Sequence, residues 1–289
     1  MKKFLAPLIT CMLMVFIANA QNAKSTVIDF NKKSQTAVSA TYPMPAVIIE
    51  GALRKKMSEA GLKGGNNKDG FLAWQGIIMP AIRAEKMDVY FKIADENGSS
   101  TMYMLTSTGY ENFMNKESNP EVHEKMISWM NEFSKDVLRF GYQDDITKNE
   151  SKLKDLEKDL KKSVKNGASL AKDKAKSEGK ASDNKQEIAK RKADLDNQNK
   201  TLEFVKAKTG TVDQMDAIKK EIGKQEDAVK KANKSYQSAL DDDEDYKKDI
   251  EKASVKIGEN ETEQAKIKSQ IDQVKSTLAD LKGKLGAIK

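Results

Sequence analysis

The sequence holds one histidine, His123, and one cysteine, Cys11, so nucleophilic and metal chemistry start from a short inventory. His123 could serve as a base, a proton shuttle or a metal ligand. His123-Glu124 is not followed by a second histidine four residues after the first, so the zinc-protease helix pattern is absent. A single histidine also yields no serine–histidine–acid set that the sequence can assign. It reads as a surface histidine on the first turns of a helix. The run Asp241 to Asp245 has aspartate at alternate places, as at the start of a calcium loop. Tyr246 stands where that loop needs glycine, however, and Lys252 where it needs the closing glutamate. A solvated helix face opposite lysines is the reading, with weak divalent-ion binding as its rival. Gly64-Gly65-Asn66-Asn67-Lys68-Asp69-Gly70 is rich enough in glycine to cradle phosphate, but it precedes a strand and lacks phosphate-loop spacing. It reads as a flexible connection. Trp74, Tyr90, Tyr103 and Tyr110 could line a ligand pocket, although aromatics on strands usually form core. Carboxylates are too numerous along the helices for any pair to stand out. No catalytic, cofactor-binding or metal-ligating residue is assigned, and the chain is not expected to be an enzyme.

The elements that would position such residues divide into three stretches. Lys2 and Lys3 precede an apolar run, Phe4 to Ile17, and Ala18-Asn19-Ala20 offers the small residues a signal peptidase requires. Residues 1–20 therefore read as an export signal cleaved after Ala20, too short to prefer spanning a bilayer. Cys11 lies inside the apolar run, which continues past it and does not suit a lipoprotein signal. The processed chain has no cysteine, so it must hold together by burial and helix pairing in an exported compartment, periplasmic or extracellular. No later apolar stretch is long enough to form a transmembrane segment. The formal charge is +7, and the leader accounts for Lys2 and Lys3 of it. Arginine is confined to Arg54, Arg83, Arg139 and Arg191, and the lysines interleave with acids, a pattern that excludes nucleic acid as the expected partner.

Composition changes near Tyr142. Both tryptophans and all five prolines precede it, and no proline follows. Residues 21–141 read as an α+β head. Thr26 to Phe30 and Gln35 to Tyr42 are expected strands. Pro45 opens a helix with Ile49, Leu53, Met57 and Ala60 on one side, ending at Gly61. Phe71 to Met79 is apolar on both faces and is expected to be central. Met87 to Ala94 alternates, Asn97-Gly98 is a hairpin turn, and Thr101 to Thr106 returns. Asn119, Pro120 and Glu121 start a helix with the stripe Val122, Met126, Trp129, Met130, Phe133, Val137 and Phe140. The order ββαβββα implies a mostly antiparallel sheet with helices on one face.

Residues 142–289 read as a long antiparallel α-helical coiled-coil hairpin. From Met215 to Ile288 the inward positions step by three and four without a slip, and only Gln225, Asp243, Asn260 and Gln264 among 22 are plainly polar. A weaker series runs from Ile146 through Leu153, Leu156, Leu160, Leu170, Ala181, Ile188, Leu195 and Leu202 to Val205, with Gly167, Lys174 and Arg191 also at seam positions. The frames differ by one residue across Thr209-Gly210-Thr211. Gly210 can adopt a left-handed conformation, and Thr211 to Gln214 forms a capping box, so the chain is expected to reverse near 209–211. Facing residues should then have numbers summing to about 420, which sets Lys172, Lys174, Lys176 and Lys180 level with Asp241 to Asp245. Gly179 and Ser182 near Asp243 imply a loosened zone.

These features suggest a structural or interaction protein of the cell envelope that uses its hairpin as a spacer or binding arm, with a protein partner. Homo-oligomers built on the hairpin are compatible with the pattern. In shape and basic charge the chain also resembles the tentacled periplasmic chaperones of the Skp type, which carry clients between helical hairpins. That resemblance implies a holdase as the alternative function.

Overall fold

The computed structural model describes residues 23–96, 98–110 and 112–288. The expected leader at residues 1–20 and Asn97 of the expected turn lie outside the described residues. The fold is an α+β sheet-and-helix head with two long helices that pack against each other as a hairpin.

Six antiparallel strands form the sheet: β1 (Lys24–Phe30), β2 (Lys33–Tyr42), β3 (Asn66–Lys68), β4 (Phe71–Met79), β5 (Arg83–Glu96) and β6 (Ser99–Ser107). Their spatial order is β1-β2-β6-β5-β4-β3. Helix α1 (Ala46–Glu59) follows β2, and α2 (Pro120–Lys206) and α3 (Val212–Ala287) complete the chain. The strand β3 occupies part of the expected glycine-rich loop. It pairs with β4 through a two-residue turn in which Asp69 and Gly70 both have positive φ, 54° and 80°. Such turns match the twist of the strands they join. Asn31 and Lys32, at φ 50° and 61°, make the same turn between β1 and β2. With β3 beside it, β4 is the penultimate strand, and the centre belongs to β6 and β5.

One sheet face packs on α1 and α2. Ile49, Leu53 and Met57 of α1 and Met126, Met130, Phe133 and Val137 of α2 meet Val38, Trp74, Val89, Phe91, Met102 and Met104 of the strands. Ala60, expected on the inner side of α1, is exposed because the helix ends at Glu59 and Gly61 turns the chain at φ 72°. Trp129 stacks on Phe133 at 5.2 Å, and Tyr42 meets Phe133 edge-on at 5.8 Å while donating its hydroxyl to the Met130 carbonyl. Burying each such side chain contributes roughly 1.5–3 kcal/mol.

The other face holds a second core: Phe30, Ala37, Phe71, Ala73, Tyr90 and Leu105. Phe30 on the edge strand touches Phe71 at 5.0 Å, although β2, β6 and β5 stand between their strands. In a flat sheet, four spacings of about 4.8 Å would separate those strands by roughly 19 Å. The β2–β6 ladder stops at Val38↔Met104, so the outer half of the β1–β2 hairpin leaves the ladder and folds over the sheet. The vacated edge of β6 pairs with the segment at Phe113, through the Ser107↔Phe113 bridge and the Met114 amide donating to the Thr106 carbonyl at 2.9 Å.

Contacts divide the chain into two compact units. The first holds the described residues up to Glu150 together with those from Ser276 onward; the second is Ser151–Lys275. The sheet, α1 and both cores belong to the first.

Gly64 and Gly65 seal the helix-facing core from the side. A Cβ at Gly65 would stand 2.7 Å from the Trp74 ring, at a φ of 77° that L residues rarely adopt. Gly65→Ala is expected to destabilise the head by about 2–4 kcal/mol, read as a lower midpoint in urea unfolding followed by tryptophan fluorescence. An unchanged midpoint would show that the loop does not brace Trp74.

Candidate functional site

The residues whose types suggested chemistry do not converge. His123 is 2% exposed, not on the surface. It sits one step before Met126, Met130, Phe133 and Val137 in the same three-and-four series, so helical periodicity turns it inward. Its Nε2 has no hydrogen-bond partner among the described residues. Burial holds its imidazole below the usual histidine value, with Glu124 opposing and Lys116 reinforcing the shift.

The acidic run Asp241 to Asp245 lies within α3 and forms no loop. Its neighbours on a helix point about 100° apart, so the five carboxylates diverge. Lys247 pairs with Asp243 at 2.6 Å and Lys248 with Glu244 at 2.8 Å, within α3, where the sequence had suggested pairing across the arms with lysines of α2. Lys174 likewise pairs within α2, with Glu178 at 3.7 Å. Four residues of helix bring these partners together without any tertiary requirement.

The glycine-rich segment is structural: Gly64 and Gly65 lie on the Trp74 indole, and Arg54 donates to the Gly65 carbonyl at 3.0 Å. Trp74 belongs to the helix-facing core and Tyr90 to the second core. Tyr103 is half-buried, and Tyr110 stands fully exposed on a turn at φ 52°. Among the described residues, the four are dispersed over two cores, a half-buried position on β6 and an exposed turn.

A site that sequence reading missed lies within the first unit. A cleft of about 350 Å³ opens between α1, α2 and the end of α3, lined by Lys55, Lys56, Glu59, Asp136, Arg139, Phe140, Gln143 and Leu285 among others. Asp136 is shared by two cations, bound to Lys56 and 3.7 Å from Arg139. Arg139 also donates to the Ile288 carbonyl at 3.3 Å. Lys55 is held only loosely, 3.9 Å from Glu59. Lys56 is also a wall of a second depression of about 150 Å³, whose other walls include Met57, Leu62, Ile78, Met79, Pro80 and Trp129. The ammonium of Lys56 stands 5.8 Å from the centre of the Trp129 ring. The only local signal was Arg54-Lys55-Lys56, three cations in succession on a helix otherwise rich in apolar residues. Its counterparts lie some eighty residues or more away along the chain.

Comparison with protein-family models and with curated proteins finds no match to this chain.

The hairpin is built as its spacing implied. Of the 22 inward positions from Met215 to Ile288, all but Met215 are buried or partly buried. Polar seam residues are joined across the arms: Gln225 donates to Gln198 Oε1 at 2.7 Å, Arg191 to the Ser235 carbonyl at 2.8 Å, Asn184 to the Ala239 carbonyl at 2.8 Å, and Asn260 to Ser163 at 3.0 Å. A Cβ at Gly167 would lie 2.6 Å from Asn260 Oδ1, so that glycine makes room for the layer. These partners' numbers sum to 423–426, above the expected 420. Side chains lean toward their own helix N-terminus, so in an antiparallel pair a contacting α3 residue sits farther from the turn than its α2 partner.

At the reversal, the Gln214 side chain accepts from the Thr211 amide at 2.9 Å, which is half of the expected capping box. Gly210 does not take a left-handed φ; its role is space, since a Cβ there would meet Gln214 Oε1 at 2.7 Å. Gly179 and Ser182 are exposed, off the seam, and α2 is unbroken through them. No loosening is visible there. The weak layer is Asp243 itself, 9% exposed, with Oδ1 lacking a partner among the described residues.

Two outcomes follow from these burials. Asp243→Leu should raise hairpin stability by about 1–3 kcal/mol, since Lys247 is already exposed to water and is left with no buried charge to face. A lower melting temperature by circular dichroism would contradict it. For His123, the unfolded chain takes up a proton as pH falls through about 6.5 while the folded form resists. The folded state is therefore expected to lose stability on acidification from pH 7 toward pH 5.5, and to do so less in His123→Leu. Parallel melting-temperature curves for the two proteins would refute the assignment.

Proposed function

We propose that this is an exported structural or interaction protein of the cell envelope, with the hairpin acting as a spacer or binding arm for a protein partner. The observation that carries the reading is the α2–α3 seam. Its apolar positions beyond Met215 are shielded along α3, and its polar layers hydrogen-bond across the arms in one register. Such layers specify register and partner at a cost in stability, as expected of an element selected for a defined length. At ~1.5 Å per residue, the 76 residues of α3 alone extend about 114 Å. The outer faces are laced with ion pairs three or four residues apart, each worth little in energy and suited to a solvated rod. Among the described residues, no helix is long and apolar enough to cross a membrane. The leader-like residues 1–20 support export.

A periplasmic holdase is the second reading. It draws on large apolar side chains left exposed on the two helices: Val164 at 48%, Phe204 at 69%, Val212 at 86% and Val255 at 56%. A holdase would use such scattered apolar points to hold unfolded clients weakly.

One experiment separates them. A photo-reactive phenylalanine analogue in place of Phe204, in the protein expressed with its leader in a bacterium with a periplasm, is expected to give one or two discrete adducts. Mass spectrometry of the same material should find a mature N-terminus at Gln21. A ladder of many outer-membrane clients, with suppression of their aggregation in vitro, would favour the holdase. An unprocessed cytosolic product would sink both.

A further inference from the structure

The head carries two adjoining depressions that differ in chemistry and share one wall, Lys56. On one side is the apolar slot at Ile78 and Trp129, about 150 Å³, smaller than the ~300–1,000 Å³ typical of small-molecule pockets and suited to a single side chain. Ile78, on its rim, is 44% exposed, a large apolar group that the fold leaves uncovered. On the other side is the cleft of Lys55, Asp136 and Arg139.

Among the described residues, the charge in the cleft is incompletely matched. Lys56 and Arg139 share the single carboxylate of Asp136. The side chains of Arg139 and Lys55 remain 46% and 57% exposed, and Lys55 has only a stretched contact with a Glu59 that is itself 68% exposed. A surface carboxylate four residues along the same helix holds such a lysine by a few tenths of a kcal/mol. A second carboxylate arriving from outside would meet two accessible cations, above an apolar floor of Ala52, Phe140 and Leu285. Gly51 leaves the room that the Phe140 ring occupies, since a Cβ there would come within 2.5 Å of it.

We propose that this surface binds an extended acidic peptide of a partner protein, seating an apolar side chain in the slot and a carboxylate between Lys55 and Arg139. Lys56 divides the two subsites: its stem and ammonium border the apolar anchor beside Trp129, while Asp136 holds the ammonium in place. A slot for one side chain beside a cleft whose cations outnumber its carboxylates favours a peptide over a long-chain amphiphile, whose tail would outrun the slot. The site is independent of what the hairpin does, and each can fail alone.

The test is fluorescence anisotropy with the full processed chain and a fluorescein-labelled peptide bearing one leucine followed two residues later by two glutamates. Saturable binding is expected, weakening as salt is raised, together with a change in tryptophan emission, since Trp129 lines the slot and Trp74 is enclosed in the core. Ile78→Asp and Lys55→Glu alter exposed side chains and should each weaken binding about tenfold or more, with unchanged circular dichroism. Equal binding of the same peptide with lysines in place of glutamates would overturn the proposal. So would absence of binding at millimolar peptide, displacement of the peptide by dodecanoate at lower concentration than by unlabelled peptide, or indifference to both substitutions.

Discussion

Two long helices, each apolar along one narrow stripe and charged elsewhere, can exist in water only by covering each other. This constraint governs the back half of the molecule. Beyond Tyr142 there is no tryptophan and no proline, and Phe204, the one phenylalanine, is exposed. Nothing there could nucleate a globular core, so burial must come from a seam one residue wide on each arm. A two-stranded seam buries little area per residue. Its specificity therefore rests on layers such as Gln198 with Gln225 and Ser163 with Asn260, where any other register would strand polar groups in the interface. Asp243 departs from this pattern: its charge is turned inward, with one oxygen satisfied by a lysine of its own helix and the other by none of the described residues.

The head solves a different problem. Its sheet is too small to leave either face in water, and it closes each in its own way. One face receives α1 and the first turns of α2, around the Trp129–Phe133 stack. The other is closed by the sheet itself, when the β1–β2 hairpin leaves its ladder and brings Phe30 onto Phe71, Tyr90 and Phe113. The same departure frees a stretch of β6 that the Phe113 segment then pairs, so the ladder lost on one strand is recovered on another. The helices that cover the first face also build the cleft, because Lys55 and Lys56 on α1 and Asp136 and Arg139 on α2 flank the line where the two pack together.

Much of the architecture could be read from local pattern. Alternation in Val89, Phe91 and Ile93, the Pro45 helix start and the three-and-four stepping of α3 each depend on a period that a few neighbouring residues express. Where reading failed, the pattern was present but ambiguous. Asp69-Gly70 carries hairpin chemistry as strong as Asn97-Gly98, yet the glycines before it masked the three-residue strand β3. His123 stood in phase with Met126 and Met130, but its polarity suggested the surface. Gly210 marked the reversal correctly for a different reason, needed for space beside Gln214 and not for a left-handed φ.

Composition and periodicity by themselves determined the class of fold, the inward series of α3 and the place at which the chain turns back. All of these arise from interactions between near neighbours or from repetition of one period. Tertiary structure alone decided that the sheet folds over on Phe30, that the arms meet in the 423–426 register, and that Lys55, Lys56, Asp136, Arg139 and Leu285 enclose one cleft. Those outcomes depend on which distant surfaces fill each other's space, and residues about thirty to two hundred and thirty positions apart leave no periodic trace of that in the sequence.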